Sequence, residues 1–198
     1  MPTSILMAVA DANYRFTYVS VGEPGSVGDA ATFARSSLAA ELHAGRHLHR
    51  AGGFPHSKPP RSRFRPYLLG DAAFKAESFL LKLFTGSYNS NDPRRLFNLT
   101  HCRMRRCVEN AFGHLKGAFR VLCKPCTQDP VFLMKVVRVC VALHNVRKLP
   151  DDPFQDSDFT QEERLAQIPS AGDNPDTSFS PSCVVVRNYL MDYLVKNR

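Results

Sequence analysis

The sequence predicts an α/β fold, a mixed sheet flanked by helices, and three stretches carry that expectation. Residues 5–10 and 14–21 read as two strands joined by the polar turn Asp11-Ala12-Asn13. Residues 66–71, PYLLGD, form a short apolar strand that ends in Gly-Asp. Between Thr100 and Lys124, Val108, Phe112, Leu115, Phe119 and Leu122 recur at steps of four, three, four and three, one apolar stripe along a helix.

The elements follow in order. Ile5 to Ala10 is apolar on both alternating faces, as in a strand covered on both sides. Tyr14 to Val21 sets Phe16 and Tyr18 on one face and Thr17 and Val19 on the other. GEPGSVGD, residues 22–29, is loop by composition, and Asp29 is placed to cap one short helix through AATFARSSLAAEL. Residues 45–66 are a basic loop. Its histidines, with His43, His47, His49 and His56 in the neighbourhood, have no zinc-finger spacing. Phe74 to Phe84 reads as a short helix or an irregular segment. The long helix begins between Arg94 and His101, and a second runs from Pro130 to Lys148. Cys123 and Cys126 form a CxxC with no further ligands in reach of the pattern. The stretch 150–181 is acidic, with Pro, Ser and Gln, and reads as a linker, and a closing helix covers Val184 to Lys196.

The chain has 198 residues, room for one real core, and carries a net charge of +8. A pI near 9.4 favours a polyanionic partner, nucleic acid ahead of an anionic membrane, over a small-molecule substrate. Six cysteines over this length are too dilute for a secreted disulfide framework and fit a reduced setting. MPTSILMAVADA lacks a basic n-region, and no run approaches the roughly 18 to 20 apolar residues of a membrane span, so a soluble, non-membrane chain is expected.

Three carboxylates stand out by position: Asp71 at a strand end, Glu109 on the long helix and Asp29 after a glycine loop. Converging acids bind Mg²⁺ or Mn²⁺ through hard oxygen ligands, and such metals activate water for phosphodiester cleavage. Arg103, Arg105 and Arg106 crowd one turn near Glu109, and Lys116 lies further along the helix. Cations so placed suit a phosphate backbone, which supplies position and affinity without sequence information. The opposing reading of Glu109 is a surface pair with Arg105 at i,i+4, worth about 0.2–0.5 kcal/mol.

The segments DANYRFTYVSVGEPGSVGDAATFARSSL, LLGDAAF, RCVENAFGHLKGAFRVL and CVALHN resemble successive blocks of the PIF/Harbinger transposase-derived nucleases, and VRNYLMDYL resembles that family's C-terminal helix. The resemblance implies an RNase H-like mixed sheet flanked by helices, here lacking the first strand. It makes Asp71 and Glu109 the second and third acids of a DDE triad, and Asp29 a further acid at or near the metal site. The family's first acid lies in a segment like Asp-Gly-Thr-His, on a strand before the hairpin. No such segment occurs among these residues.

The implied domains are a partial DDE-type nuclease domain at 1–149, the acidic linker at 150–181 and the helix at 182–198. The implied function is a transposase-derived, divalent-metal-dependent DNA endonuclease, catalytically incomplete in this chain. The alternative is a non-catalytic domesticated fragment that binds DNA or a nuclear DNA-binding protein. Either reading places the protein in the nucleus, with the cytoplasm as a further location.

Overall fold

The computed structural model describes residues 4–46, 67–124, 129–148 and 181–197. The basic loop's His47, His49 and His56, Cys126 of the CxxC, and the acidic stretch 150–180 lie outside the described residues.

In chain order the elements are β1 (Ser4–Ala10), β2 (Phe16–Pro24), a 3-10 turn (Gly25–Val27), α1 (Asp29–Arg35), α2 (Ser37–His43), β3 (Leu68–Leu69) and β4 (Leu80–Leu81). Then follow α3 (Pro93–Ala118), a second 3-10 turn (Arg120–Cys123), α4 (Pro130–Arg147) and α5 (Pro181–Lys196). The fold is mixed α/β, as the pattern predicted. It divides into two compact units, with breaks after Thr32 and after Arg103.

The first unit holds the hairpin, the later turns of α3, and α4. β1 and β2 pair antiparallel, Met7 opposite Ser20 and Ala8 opposite Val19. The turn is larger than Asp11-Ala12-Asn13. The Asp11 N–H donates to the Arg15 carbonyl at 2.9 Å, the Asp11 carboxylate accepts from the Asn13 and Arg15 N–H groups, and Tyr14 adopts a left-handed φ of 60°. These local bonds delay β2 to Phe16. The strand then runs on through GEP, residues expected to be loop, by way of a bulge in which Gly22 is the extra residue. Gly22 has a φ of +121°, and a Cβ there would come within 2.5 Å of the Met134 sulfur on α4. Only glycine satisfies both demands.

The hairpin packs on α3 and α4 through Phe16, Ala111, Leu115, Val137, Cys140 and Val141. Phe112, Phe119 and Leu122 of the predicted stripe border this cluster. The long helix ends at Ala118 rather than Lys124, because Phe119 leaves helical geometry at φ −115° and ψ 78°. α4 begins where expected: Asp129 accepts a hydrogen bond from the Phe132 N–H at 3.1 Å, and Pro130 occupies the first turn, where its missing N–H costs nothing.

The second unit holds α2, β3, β4, the first turns of α3, and α5. The single helix expected from Asp29 is two helices. Asp29 is the first helical residue of α1, and the Gly28 carbonyl, bonded to the Thr32 N–H at 3.0 Å, occupies the capping position assigned to Asp29. Ser36 interrupts the run, since its hydroxyl caps α2 by accepting from the Ala39 N–H at 3.1 Å. The segment expected to be helical or irregular, 74–84, contains β4, which runs parallel to β3 with Leu68 opposite Leu80 and Leu69 opposite Leu81. Ala76, Leu81 and Cys183 form the centre of this core, bordered by Tyr67, Leu69, Val186 and Leu190.

Among the described residues, then, the strands form two separate pairs, one antiparallel and one parallel, in place of the single mixed sheet expected. No described strand hydrogen-bonds to both pairs.

Candidate metal centre and phosphate-binding face

Asp71 follows β3 through a single glycine. The Gly70 N–H donates to the Leu81 carbonyl at 3.0 Å, and a Cβ on Gly70 would come within 2.6 Å of a Leu80 methyl carbon. Glycine therefore lets β4 approach as the parallel ladder closes, and the aspartate emerges at the C-terminal end of the strand. One carboxylate oxygen, Oδ1, accepts from the Ala73 N–H at 2.8 Å, which fixes the half-buried side chain in a local turn. The C-terminal ends of parallel strands are where open α/β sheets hold ligand-handling groups.

Glu109 stands on the solvent side of α3. Arg105, one turn earlier, is hydrogen-bonded and ion-paired to its carboxylate, and the two side chains are 31% and 47% exposed. This is the i,i+4 surface pair that the sequence allowed. Lys116, seven residues on, shares that face and is exposed. Arg106 is half-buried and Arg103 is exposed. The buried stripe of the same helix, through Ala111 and Leu115, holds this polar side out.

Asp29 is exposed at the start of α1, directly after Gly28 at φ 79°. Asp29 and Glu109 belong to the first unit and Asp71 to the second. Among the described residues, no group of three or more His, Cys, Asp or Glu side chains is placed to hold a metal ion. The donor chemistry of Asp71 and Glu109 nonetheless fits a hard cation. Mg²⁺ keeps several waters and is held through one or two carboxylates plus substrate phosphates. Of the other candidates, His43 is edge-on to Phe79 and lies 3.5 Å from the Glu77 carboxylate, and Cys123 is an exposed free thiol.

Sequence reasoning missed a set of polar residues that hold the scaffold. His144 falls at the same helical spacing as Val137, Cys140 and Val141, yet its Nε2 donates to the Tyr14 carbonyl at 2.8 Å. Asn145 accepts from the Phe16 N–H at 2.9 Å and donates to the Phe16 carbonyl at 2.8 Å. Burial holds the His144 imidazole below its ordinary pKa, and Lys148, His114 and Arg147 push the same way against the bond to Tyr14. Asn98 grips the Phe84 N–H and carbonyl in the same two-bond manner, both at 2.9 Å. The adjacent His-Asn of CVALHN was the available signal, a polar pair interrupting an apolar helix.

The α/β chain thus carries one acid at the end of a parallel strand in one unit and, in the other, an acid on a helix face that also bears arginine and lysine. Residues 3–145 match the family described as DDE superfamily endonuclease, and the chain belongs to that family. It is similar to "Protein ALP1-like" of Arabidopsis thaliana, with 28% identity over 171 residues, 82% of this chain and 41% of the relative. The chain thus spans about two fifths of the length of that curated relative. No solved structure matches. Among the described residues no helix is long and apolar enough to cross a membrane.

Proposed function

We propose that this chain carries part of an RNase H-like, divalent-metal-dependent DNA endonuclease site, in which Asp71 and Glu109 are the metal-binding acids and Asp29 a weaker accessory. The observation that carries the reading is the position of Asp71, immediately after the glycine that closes a parallel strand, within a chain belonging to the DDE endonuclease family. Asp71 and Glu109 would supply carboxylate oxygens to Mg²⁺ or Mn²⁺, and such an ion would supply an activated water and charge stabilisation for the departing oxygen. Arg103, Arg105, Arg106 and Lys116 hold the DNA backbone in this reading, and Arg105 exchanges Glu109 for phosphate when DNA binds. The setting is the nucleus.

These residues contain no Asp-Gly-Thr-His-like segment, so the polypeptide supplies two acids of the triad. Loss of one ligand weakens the metal and misplaces the nucleophile. The proposed outcome is metal and DNA binding without cleavage by these 198 residues alone. For these residues taken alone, the second reading is binding of DNA or a nuclear protein without cleavage.

The test combines supercoiled plasmid with Mg²⁺ or Mn²⁺. No nicking is expected, while Mn²⁺ at about ten times its Kd raises the melting temperature by about 3–6 °C. Robust cleavage abolished by Asp71→Ala or Glu109→Ala would make the chain a complete nuclease. Neither cleavage nor metal-dependent stabilisation would remove the metal from the account.

A further inference from the structure

α4 carries two apolar faces, and the described fold uses one. Val137, Cys140, Val141 and His144 are buried on the side facing the hairpin and α3. On the opposite side Phe132, Val139, Leu143 and Val146 recur at steps of seven, four and three, and they are 53%, 58%, 49% and 61% exposed. A surface helix ordinarily turns charged residues to water there, and one that is apolar all round is buried on all sides. Four large apolar side chains in a row on one helix face constitute a patch, unlike singly scattered ones.

The charge around the stripe selects the occupant. Lys135 and Arg138 are exposed beside it, and residues 130–148 contain no carboxylate at all. A second copy of α4 laid on this face would bring cations against cations. A nucleic-acid backbone would meet the cations but leave the four apolar side chains in water. An amphipathic helix with acidic flanks satisfies both features, the apolar stripe by burial and the rim by opposite charge.

We propose that the outer face of α4 docks an acidic amphipathic helix of another protein, whose apolar side covers Phe132, Val139, Leu143 and Val146 and whose carboxylates pair with Lys135 and Arg138. The proposal does not rest on the nuclease reading, since none of Asp29, Asp71 and Glu109 lies on α4.

The test titrates the full chain into a fluorescein-labelled helical peptide of about five turns, leucines on one face and glutamates on its flanks, and into its counterpart with lysine for glutamate. Anisotropy should show saturable binding of the glutamate peptide and at least about tenfold weaker binding of the lysine peptide. Leu143→Asp should cut binding by about tenfold or more, and the double variant Lys135→Glu, Arg138→Glu should reverse the preference. Melting curves should stay unchanged in both variants, because all three positions are exposed.

No saturable binding, equal binding of both peptides, or indifference to both variants would overturn the proposal. Dimerisation of the chain that Leu143→Asp abolishes would assign the face to a second copy. Glutamate-peptide binding that appears only once residues 151–180 are deleted would assign it to the chain's own acidic stretch. Either result would overturn the foreign partner.

Discussion

The two compact units hold extended backbone against helices by different means. In the first, strands of seven and nine residues pair with each other along their length, apolar side chains from α3 and α4 close the core, and His144 and Asn145 add bonds to Tyr14 and Phe16. In the second, β3 and β4 are two residues each, too short to do this. There helix side chains carry a larger share of the bonding. His101 Nε2 donates to the Leu81 carbonyl at 3.1 Å, Arg187 Nη1 to the Leu83 carbonyl at 3.4 Å, and Asn98 brackets Phe84. Arg187 also lies over the Phe84 ring, 4.0 Å from its centroid, so the buried guanidinium is held by π-density as well as by the carbonyl. A unit built on side-chain hydrogen bonds loses more when one polar residue is removed, since each orphaned buried group costs about 1–3 kcal/mol.

The comparison can be broken at its strongest points first. Leu115, 1% exposed in the first core, should be the costliest single truncation: Leu115→Ala is expected to lose about 3–5 kcal/mol in urea unfolding. Asn98→Ala should follow at about 2–4 kcal/mol, because it strands both polar groups of Phe84 where the ladder is shortest. Asn145→Ala makes the same two-bond deletion at Phe16 and should cost less, about 1–3 kcal/mol, since the hairpin retains its own pairing. If Asn145→Ala proves the more damaging of the two, the distinction between the units fails.

A smaller effect is read through pH. The folded His144 pKa lies below its unfolded value of about 6.5, so its neutral form is the one the fold accepts. Its contribution is complete above that value and is lost as pH falls below it. The urea midpoint should therefore drop between pH 7 and 5 in the native chain, and His144→Gln should flatten that slope. The smallest stability effect belongs to the candidate site: Glu109→Gln breaks only an exposed pair and should move stability by less than about 0.5 kcal/mol.

What was legible in the sequence follows the same division. The hairpin, α4 and the buried stripe of α3 announce themselves through apolar period, while the ends of β2 and α3 differ from it, since a local turn delays the strand and Phe119 stops the helix. β4 was invisible because two leucines in a run of mixed residues have no period, and the strand is held by its ladder to β3 and by a bond from the distant His101. α1 and α2 are indistinguishable from one helix by composition, because Ser36 fits a helical run, and only the bond from the Ala39 N–H to its hydroxyl makes it the cap of a second helix. For the candidate site, the strand-end position of Asp71 was readable from Gly-Asp after apolar residues. The pairing of Glu109 with Arg105 was readable too, as the plainer alternative. Spacing along the chain could not supply the polar brackets of Asn98 and Asn145, for their partners lie 14 and 129 residues away.

The account turns on Asp71 and Glu109 acting together on one divalent ion. Titrating the chain into Mn²⁺ and following loss of the free hexaaquo-Mn²⁺ signal by electron paramagnetic resonance tests this most directly. The account predicts a saturable site whose affinity falls at least about tenfold in Asp71→Asn and equally in Glu109→Gln, with a lesser loss in Asp29→Asn and unchanged melting without metal. Mn²⁺ binding that is absent in the native chain, or that survives both substitutions, would contradict it.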